Sequence, residues 1–206
     1  MARPRQFDEH EVLIAAREQF WHQGYEATSM SDLCAATGVA SQSLYGAFGS
    51  KHDLFVRTLD EYCAGQVSGL EAGWRGTTTS PWTWLMAAVT FEDGGRLDLT
   101  VDGCYLACST SARARLDDDV RDASRRTYDR ILDVFTAAVA DGQAQDEVRT
   151  DVAAGLVART LLTAMQGLEF VRKSGLDDAA FTDAKAGMVD ALTRAYAVDS
   201  GGDVGA

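Results

Sequence analysis

Long apolar runs are absent from the sequence: no stretch approaches the roughly 18 consecutive apolar residues that a membrane-spanning helix needs. Prolines are rare, with 2 among 206 residues, so few positions interrupt a helix. The N-terminal residues are polar and no apolar run follows them, so we expect no secretory signal, no membrane partner and a cytoplasmic protein. Hydrophobic residues make up 46% of the chain, which excludes a disordered protein and suffices for one or two compact domains.

Cysteine and histidine are also scarce. The four cysteines do not make a disulfide framework in a chain of this size, and we interpret them as small buried hydrophobic residues: Cys34, Cys63, Cys104 and Cys108. A zinc site or a thiol sensor is the alternative, although all three histidines precede residue 60. The sequence has no glycine-rich phosphate loop, no His-x-x-x-His pair and no Gly-x-Ser-x-Gly motif. We therefore predict no metal, no cofactor and no catalytic site.

Positive charge is in short supply, since 19 basic residues face 31 acidic ones and the net charge is -12. At face value this argues against a nucleic-acid partner. The acidity is concentrated downstream, because residues 1–60 hold 5 basic and 8 acidic residues together with every histidine. The first 60 residues could therefore still present a locally positive surface.

Helical periodicity and helix-capping signals recur along the chain, without the alternation typical of β-strands. Asp8 with Glu11, and Ser29 with Asp32, have the spacing of a capping box that opens a helix. Glycines follow at the expected helix ends. We predict an all-α fold of about nine helices and no strand, with the helices over residues 8–24, 29–38, 41–48, 50–76, 80–94, 103–111, 117–140, 151–173 and 177–198.

The second and third helices are the most informative pair. Each has about two turns, and only Gly38 and Val39 separate them, so they must pack on the first helix to be stable. Packing would use the apolar positions Leu33, Val39, Leu44 and Phe48. The opposite face of the third helix carries no charge, and its side chains suit base edges in a DNA major groove: Ser41, Gln42, Ser43, Tyr45 and Gly46. Gly46 costs a helix about 1 kcal/mol relative to alanine, and close approach of a DNA backbone would explain it.

Three segments then occur in a fixed order: Gly-Tyr-Glu-Ala-Thr-Ser-Met at 24–30, Gly-Val-Ala-Ser-Gln-Ser-Leu-Tyr at 38–45, and Phe-Gly-Ser-Lys at 48–51 followed by Leu54. Residues 8–57 thereby resemble the DNA-binding head of the TetR family of bacterial transcriptional regulators. The remainder is similar only in helix number, helix length and total size. The resemblance implies a helix-turn-helix DNA-binding domain at 1–50 and a helical ligand-binding and dimerisation domain at 51–206.

The resemblance also assigns roles to residues. It implies base contacts by Ser41, Gln42 and Ser43 and phosphate contacts by Tyr45, Lys51, Thr28 and Ser29. Helix N-termini offer free N–H groups to anions, which agrees with the last three. Arg3 and Arg5 could reach the minor groove or the backbone of DNA. Gly46 and Ala47 depart from the larger side chains of many members, which leaves fewer contacts for sequence discrimination.

Downstream of the head, apolar walls with a few polar groups are predicted to form a pocket for a small-molecule effector. The candidate lining residues are Trp84, Phe91, Tyr105, Tyr128, Phe135, Met165, Gln166 and Glu169. A buried Glu169 would favour a cationic ligand, and ordinary core packing explains the apolar residues equally well. In the last helix Phe181, Met188 and Ala195 recur every seven residues. The family's mode of dimerisation would place this helix and the preceding one in a four-helix bundle, and intrachain packing is the alternative.

These observations predict a ligand-responsive, dimeric transcriptional regulator. We expect a repressor that binds double-stranded DNA at a palindromic operator and is released by a small-molecule effector. The alternative is a helical adaptor that binds small molecules or proteins and does not recognise a DNA sequence. The acidic total and the Gly46–Ala47 stretch favour the adaptor; salt-sensitive, sequence-selective DNA binding would exclude it.

Overall fold

The computed structural model describes residues 7–91 and 103–198. Nine α-helices lie in these two ranges, and the one β-type pairing found there is an isolated bridge between Val148 and Ala197. The helices are α1 (Glu9–Gln23), α2 (Met30–Thr37), α3 (Ser41–Phe48), α4 (Lys51–Gly76), α5 (Pro81–Thr90), α6 (Tyr105–Arg113), α7 (Asp118–Ala144), α8 (Ala154–Lys173) and α9 (Asp178–Tyr196). The predicted all-α fold is confirmed. None of the described helices combines the length and apolarity needed to cross a membrane.

Local capping explains where most of the helices begin. Ser29 accepts a hydrogen bond from the Asp32 N–H, and Asp32 accepts one from the Ser29 N–H, so the predicted capping box at α2 is formed. Ser80 caps α5 with Pro81 at the first helical position. Asp8 caps α1, but its carboxylate accepts from the His10 N–H, so the reciprocal bond predicted with Glu11 is replaced by a simpler cap.

One compact unit comprises Met1–Gly65 and Tyr105–Arg125, and the other comprises Gln66–Cys104 and Arg126–Ala206. The predicted division at residue 50 therefore differs from the packing. In the first unit, Phe55 of α4 lies 5.2 Å, ring to ring, from Phe20 of α1. Tyr105 of α6 packs against Trp21 at 5.6 Å and is 1% exposed. The start of α4, all of α6 and the start of α7 belong to the core of the N-terminal head, and these aromatic contacts are the reason.

The core of the first unit uses the positions that the helical pattern predicts. Leu33, Val39, Leu44 and Phe48 are all buried. They join the apolar face of α1, which consists of Val12, Leu13, Ala16 and Phe20. This packing holds two helices of eight residues each that would be unstable alone.

The second unit has its core among α5, α7 and α8, with Trp84, Phe135 and Leu161 buried at its centre. The helix predicted over residues 117–140, with a glycine after its end, continues to Ala144 in the structure, so Gly142 lies inside α7. A Cβ at Gly142 would stand 2.8 Å from Val148 Cγ2 and 3.3 Å from Pro81 Cβ. The residue is therefore a site of close packing, and the prediction of a helix end at this position is wrong.

Candidate nucleic-acid interface

The outer face of α3 is exposed and uncharged. Leu44 and Phe48 are buried and anchor the helix to its unit. All five positions predicted to face DNA are exposed, and Tyr45, at 47% exposure, is an aromatic side chain on the surface: Ser41, Gln42, Ser43, Tyr45 and Gly46. Four of these five side chains can donate or accept a hydrogen bond. A two-turn helix with such groups on one face can enter a major groove and meet base edges.

At Gly46 the structure leaves room for a side chain. Apart from the neighbouring backbone of α3 itself, no described atom would lie within 4 Å of a Cβ at this position, so packing does not require glycine there. The space beside Gly46 is open at the centre of the exposed face of α3. It is therefore a place where a DNA backbone could approach the helix closely.

The first turn of α2 fits the predicted phosphate contacts only in part. Thr28 is 1% exposed, and its hydroxyl donates to the Gly24 carbonyl at 2.7 Å, so its side chain is not available to a phosphate. Ser29 is exposed, but its hydroxyl donates to Asp32 Oδ2 at 2.6 Å. The hydroxyl and N–H of Ser29 hold the pKa of Asp32 below its ordinary value. A carboxylate thus already occupies this helix N-terminus, and Thr28 has a structural role that the sequence pattern did not predict.

Lys51 also has a structural role. Its Nζ donates to the carbonyl oxygens of Tyr25 and Thr28, both at 2.8 Å, and lies 4.2 Å from the centre of the Tyr25 ring. These contacts use two of the three ammonium protons. Lys51 is half-buried, so a phosphate contact would use the third proton. Arg3 and Arg5, which were predicted to reach the minor groove or the backbone of DNA, lie outside the described residues.

Next to the loop between α1 and α2, residues 24–28, lies a group of side chains whose association the sequence did not predict. We call it the Arg113 cluster: Tyr25, Glu26, His52, Arg113 and Asp117. The Arg113 guanidinium lies 3.9 Å from the centre of the Tyr25 ring and forms ion pairs with Glu26 and Asp117. His52 Nε2 lies 3.0 Å from Asp117 Oδ2. Burial opposes ionisation of Asp117, but hydrogen bonds from Arg113, Val120 N–H and His52 outweigh it and lower the pKa of Asp117.

Three potential metal-ligand atoms meet at the edge of the Arg113 cluster. Within the described ranges, His52, Asp117 and Asp119 place one such atom each within 4.8 Å of the others. The buried member of the three, Asp117, already receives the Arg113 guanidinium at 2.9 Å. A cation at that carboxylate would face the charge of Arg113 at short range, so the geometry favours an ion-pair network over a metal site.

Replacing Asp117 by asparagine tests the contribution of this network to folding. Asparagine keeps the size of the side chain and its ability to cap α7, but it removes the charge. We expect the free energy of unfolding at pH 7 to fall by about 1–3 kcal/mol. A lowered pKa contributes stability above the unfolded value of about 3.9, and this contribution is lost as the pH falls through the native pKa. The deficit of the variant should therefore shrink as the pH is lowered from about 5.

Urea unfolding at pH 7, 5 and 4 and at one protein concentration measures both effects. Asp118→Asn is the matched control, because the Asp118 side chain is 82% exposed and pairs only at the surface with Arg121. An equal loss for both variants, or a deficit that grows on acidification, would contradict the assignment.

The residues predicted to line an effector pocket do not all lie in one unit. Seven belong to the second unit: Trp84, Phe91, Tyr128, Phe135, Met165, Gln166 and Glu169. The apolar members form its core or pack against it. Tyr105 instead belongs to the first unit, where its hydroxyl lies 3.0 Å from Thr58 Oγ1 and burial raises its pKa. A role for Tyr105 in the predicted group is therefore not supported, because its ring is part of the core of the head.

Two polar contacts stand out in the second unit. The Tyr128 hydroxyl donates to Gln166 Oε1 at 3.1 Å. Glu169 is 2% exposed, accepts a hydrogen bond from the Cys104 N–H at 2.7 Å and pairs with Lys173 at 3.1 Å. Glu169 is thus buried, which is the condition under which the sequence would favour a cationic ligand, but its charge is already balanced by Lys173. Gly103 permits this arrangement, because a Cβ there would overlap the Lys173 side chain as it is placed.

The four cysteines all lie among the described residues and form no disulfide. Cys63 and Cys104 are buried, while Cys34 and Cys108 are half-buried. The interpretation as buried hydrophobic residues thus holds fully for the first two and in part for the others.

The sequence of the head matches a known family. Residues 12–58 match the sequence model of the family described as bacterial regulatory proteins, tetR family. The HTH-type transcriptional repressor ComR of Escherichia coli (strain K12) is 47% identical over 60 residues, which is 29% of this chain and 29% of ComR. The match therefore covers less than a third of the length of that relative.

Solved structures extend the likeness to the rest of the chain. The TetR-family transcriptional regulator from Cytophaga hutchinsonii covers 93% of this chain and 95% of its own, with a TM-score of 0.80 and 18% identity. A transcriptional regulator from Saccharomonospora viridis, solved with choline, covers 92% of this chain and 97% of its own, with a TM-score of 0.78 and 17% identity. At these identities the likeness shows a shared fold.

Proposed function

Because the chain belongs to the TetR family of bacterial regulatory proteins, we propose that it is a dimeric transcriptional regulator that binds a palindromic DNA operator and responds to a small-molecule effector. The observation that carries the proposal is the exposed, uncharged and hydrogen-bonding face of α3. It is presented by a short helix whose opposite face is buried. A surface of this kind suits base edges better than it suits phosphates, which positive charge would attract more strongly.

The dimer is proposed from α8 and α9. The helix α9 has 19 residues, and Leu192 is the one that it buries. Four exposed small residues recur along one face of α9 at spacings of three and four: Ala184, Gly187, Ala191 and Ala195. On α8, Leu156 and Phe170 are 50% and 74% exposed. Small residues let two helices approach closely, and an isologous contact of this kind generates a two-fold axis.

The predicted seven-residue stripe differs from this exposed face. Met188 packs against the core of its own unit, and Phe181 is half-buried beneath the Arg172 guanidinium at 4.9 Å. Only Ala195 of the three predicted residues lies on the exposed face. We therefore propose the small-residue face of α9, together with the exposed side of α8, as the contact between two copies.

A two-fold dimer with one head on each copy recognises a palindromic site, with half-sites about 34–36 Å apart. We propose two conformations of the dimer that differ in the distance between the heads. An effector that binds one conformation more tightly than the other shifts the population toward it. Repression is proposed by analogy with ComR, whose name records a repressor. A regulator of bacterial transcription acts in the cytoplasm.

The effector is proposed to bind in the second unit. Glu169 holds the N–H of Cys104, the residue immediately before α6, so a ligand that contacts Glu169 would also affect the start of that helix. The regulator from Saccharomonospora viridis binds choline, a cation. In this chain a cationic effector would have to displace Lys173 from Glu169, whereas a neutral effector would leave that ion pair intact.

A binding titration of the purified protein tests the proposal. The probes are DNA fragments flanking its own gene and duplexes enriched by the protein from a random pool, each at two salt concentrations with random competitor DNA. We expect binding that survives the competitor and weakens steeply with salt, with a palindromic footprint. Equal affinity for enriched and random DNA would contradict the proposal and support the adaptor.

Gln42 offers the sharpest test of base recognition. Its side chain is exposed on the first turn of α3 and suits an adenine edge. We expect Gln42→Ala to reduce selectivity at one position per half-site by about 1–3 kcal/mol while affinity for random DNA stays unchanged. Gln23→Ala, at an exposed position of α1, is the control. Competition with operators substituted at each position measures the effect, and an unchanged selectivity profile would remove Gln42 from the set of base-reading residues.

A further inference from the structure

The loop between α1 and α2, residues 24–28, is held from two sides. Within the loop, the Thr28 N–H and hydroxyl both donate to the Gly24 carbonyl. Lys51 then binds two of its carbonyl oxygens. This loop leads directly into the first turn of α2, so its conformation determines where that helix begins.

Arg113, the last residue of α6, contacts the loop from the second side. Its guanidinium contacts the loop twice, through the ring of Tyr25 and through the carboxylate of Glu26. The Arg113 side chain is 16% exposed, whereas that of Glu26 is 83% exposed. Asp117 fixes the guanidinium from the other end, with two of its nitrogens within 3.3 Å of Oδ2.

The charge of Arg113 is preserved in this setting. Burial opposes it, but the hydrogen bonds to Asp117 and Glu26 outweigh burial and raise the pKa of Arg113. A planar guanidinium can stack flat on a ring and at the same time bind carboxylates through the N–H groups at its edges, in a fixed fork geometry that an ammonium group lacks. The contacts of Arg113 therefore depend on the shape of the side chain as well as on its charge.

We infer that Arg113 is a positioning residue for DNA binding: through Tyr25 and Glu26 it fixes the loop that sets the start of α2 and thus the scaffold on which α3 is presented. The inference rests on the proposed DNA-binding function. It assigns a role to an ion pair between residues 87 positions apart in the sequence. Arg113 itself need not touch DNA.

Glu26→Gln distinguishes a positioning role from a general effect of charge, because the two predict opposite changes in DNA affinity. Removing an exposed negative charge from a DNA-binding head should strengthen binding to a polyanion. Loss of the ion pair with Arg113 should instead weaken DNA binding, and we expect about 3- to 30-fold lower affinity. Arg113→Lys keeps the charge but loses the stacked and forked geometry, so we expect a loss of similar size.

The probe is a duplex enriched by the wild-type protein from a random pool, and binding is measured at a temperature at which every variant is folded. Glu11→Gln removes an exposed charge from α1 and is the matched control, for which we expect equal or tighter binding. The double variant of Glu26 and Arg113 should lose little more than the larger single loss, because both changes break one contact. Equal or tighter binding by Glu26→Gln would overturn the inference.

Amide hydrogen exchange of the DNA-free protein distinguishes failure of this inference from failure of the proposed function. The Thr28 N–H is bonded to the Gly24 carbonyl at 3.2 Å, and its exchange reports on the loop. We expect faster exchange in both Glu26→Gln and Arg113→Lys, but not in Glu11→Gln. If the wild-type protein enriches no duplex, the proposed function fails, and the exchange data alone decide whether Arg113 fixes the loop. Unchanged exchange at Thr28 in both variants would overturn the role of Arg113.

Discussion

Ala191→Arg is expected to convert the protein to a monomer and to weaken binding to a palindromic operator by about 10²–10⁴-fold, because two linked heads bind one site far more tightly than one head does. Ala191 is exposed at the centre of the small-residue face of α9, between Gly187 and Ala195. An arginine there would keep two helices from approaching closely. Since the position is exposed within one chain, the substitution should leave the fold of the monomer intact.

The sign of the charge makes this test stringent. An added arginine would by itself favour a polyanion, so weaker binding cannot arise from charge. Ala186→Arg adds the same charge on the opposite, exposed side of α9 and is the matched control. Sedimentation at micromolar concentration and operator titration measure the two effects. A dimeric Ala191→Arg protein, or a monomer that binds the operator as tightly as the wild type, would contradict the proposed dimer.

The sequence predicted well those features that depend on neighbouring residues. The bounds of α3 agree with the prediction because Gly38 ends α2 shortly before it and Gly49 ends α3 itself. The capping box at Ser29 and the Ser80–Pro81 start of α5 are equally local. Such signals act over three or four residues, so they can be recognised without knowing what the helix packs against.

The features that were not predicted depend on contacts between distant segments. Gly142 resembles a helix end in sequence, but it lies inside α7, where Val148 and Pro81 leave no room for a side chain. Tyr105 has the pattern of a pocket residue, and only the folded chain shows that Trp21 packs against it in the head. The partnership of Arg113 with Glu26 has no local signal at all.

The candidate site shows the same division. Exposure of the outer face of α3 follows from helical periodicity, which placed Leu44 and Phe48 inward. The engagement of Thr28 and Lys51 with backbone carbonyls does not follow from periodicity, because it depends on the path of the loop at residues 24–28. Residue type and helix position alone therefore overestimated the number of groups available to phosphates.

Gly46→Ala is expected to stabilise the protein and weaken its DNA binding. Alanine is favoured over glycine inside a helix by about 1 kcal/mol. Outside the neighbouring backbone of α3, the added Cβ meets no atom of the described residues within 4 Å, so no packing clash offsets that gain. If the DNA backbone approaches α3 at this point, the methyl group would be forced into a tight contact that costs about 1–3 kcal/mol of binding free energy.

Gly65→Ala supplies the control, since Gly65 lies inside α4 and a Cβ there also has open space. Both variants should show a similar rise in the free energy of unfolding by urea, but only Gly46→Ala should bind the operator more weakly. Stabilisation without loss of affinity at residue 46 would mean that DNA does not approach the helix there. Loss of affinity confined to Gly46→Ala would place the DNA backbone against the one position of the exposed α3 face that has no side chain, since the described residues leave that space open.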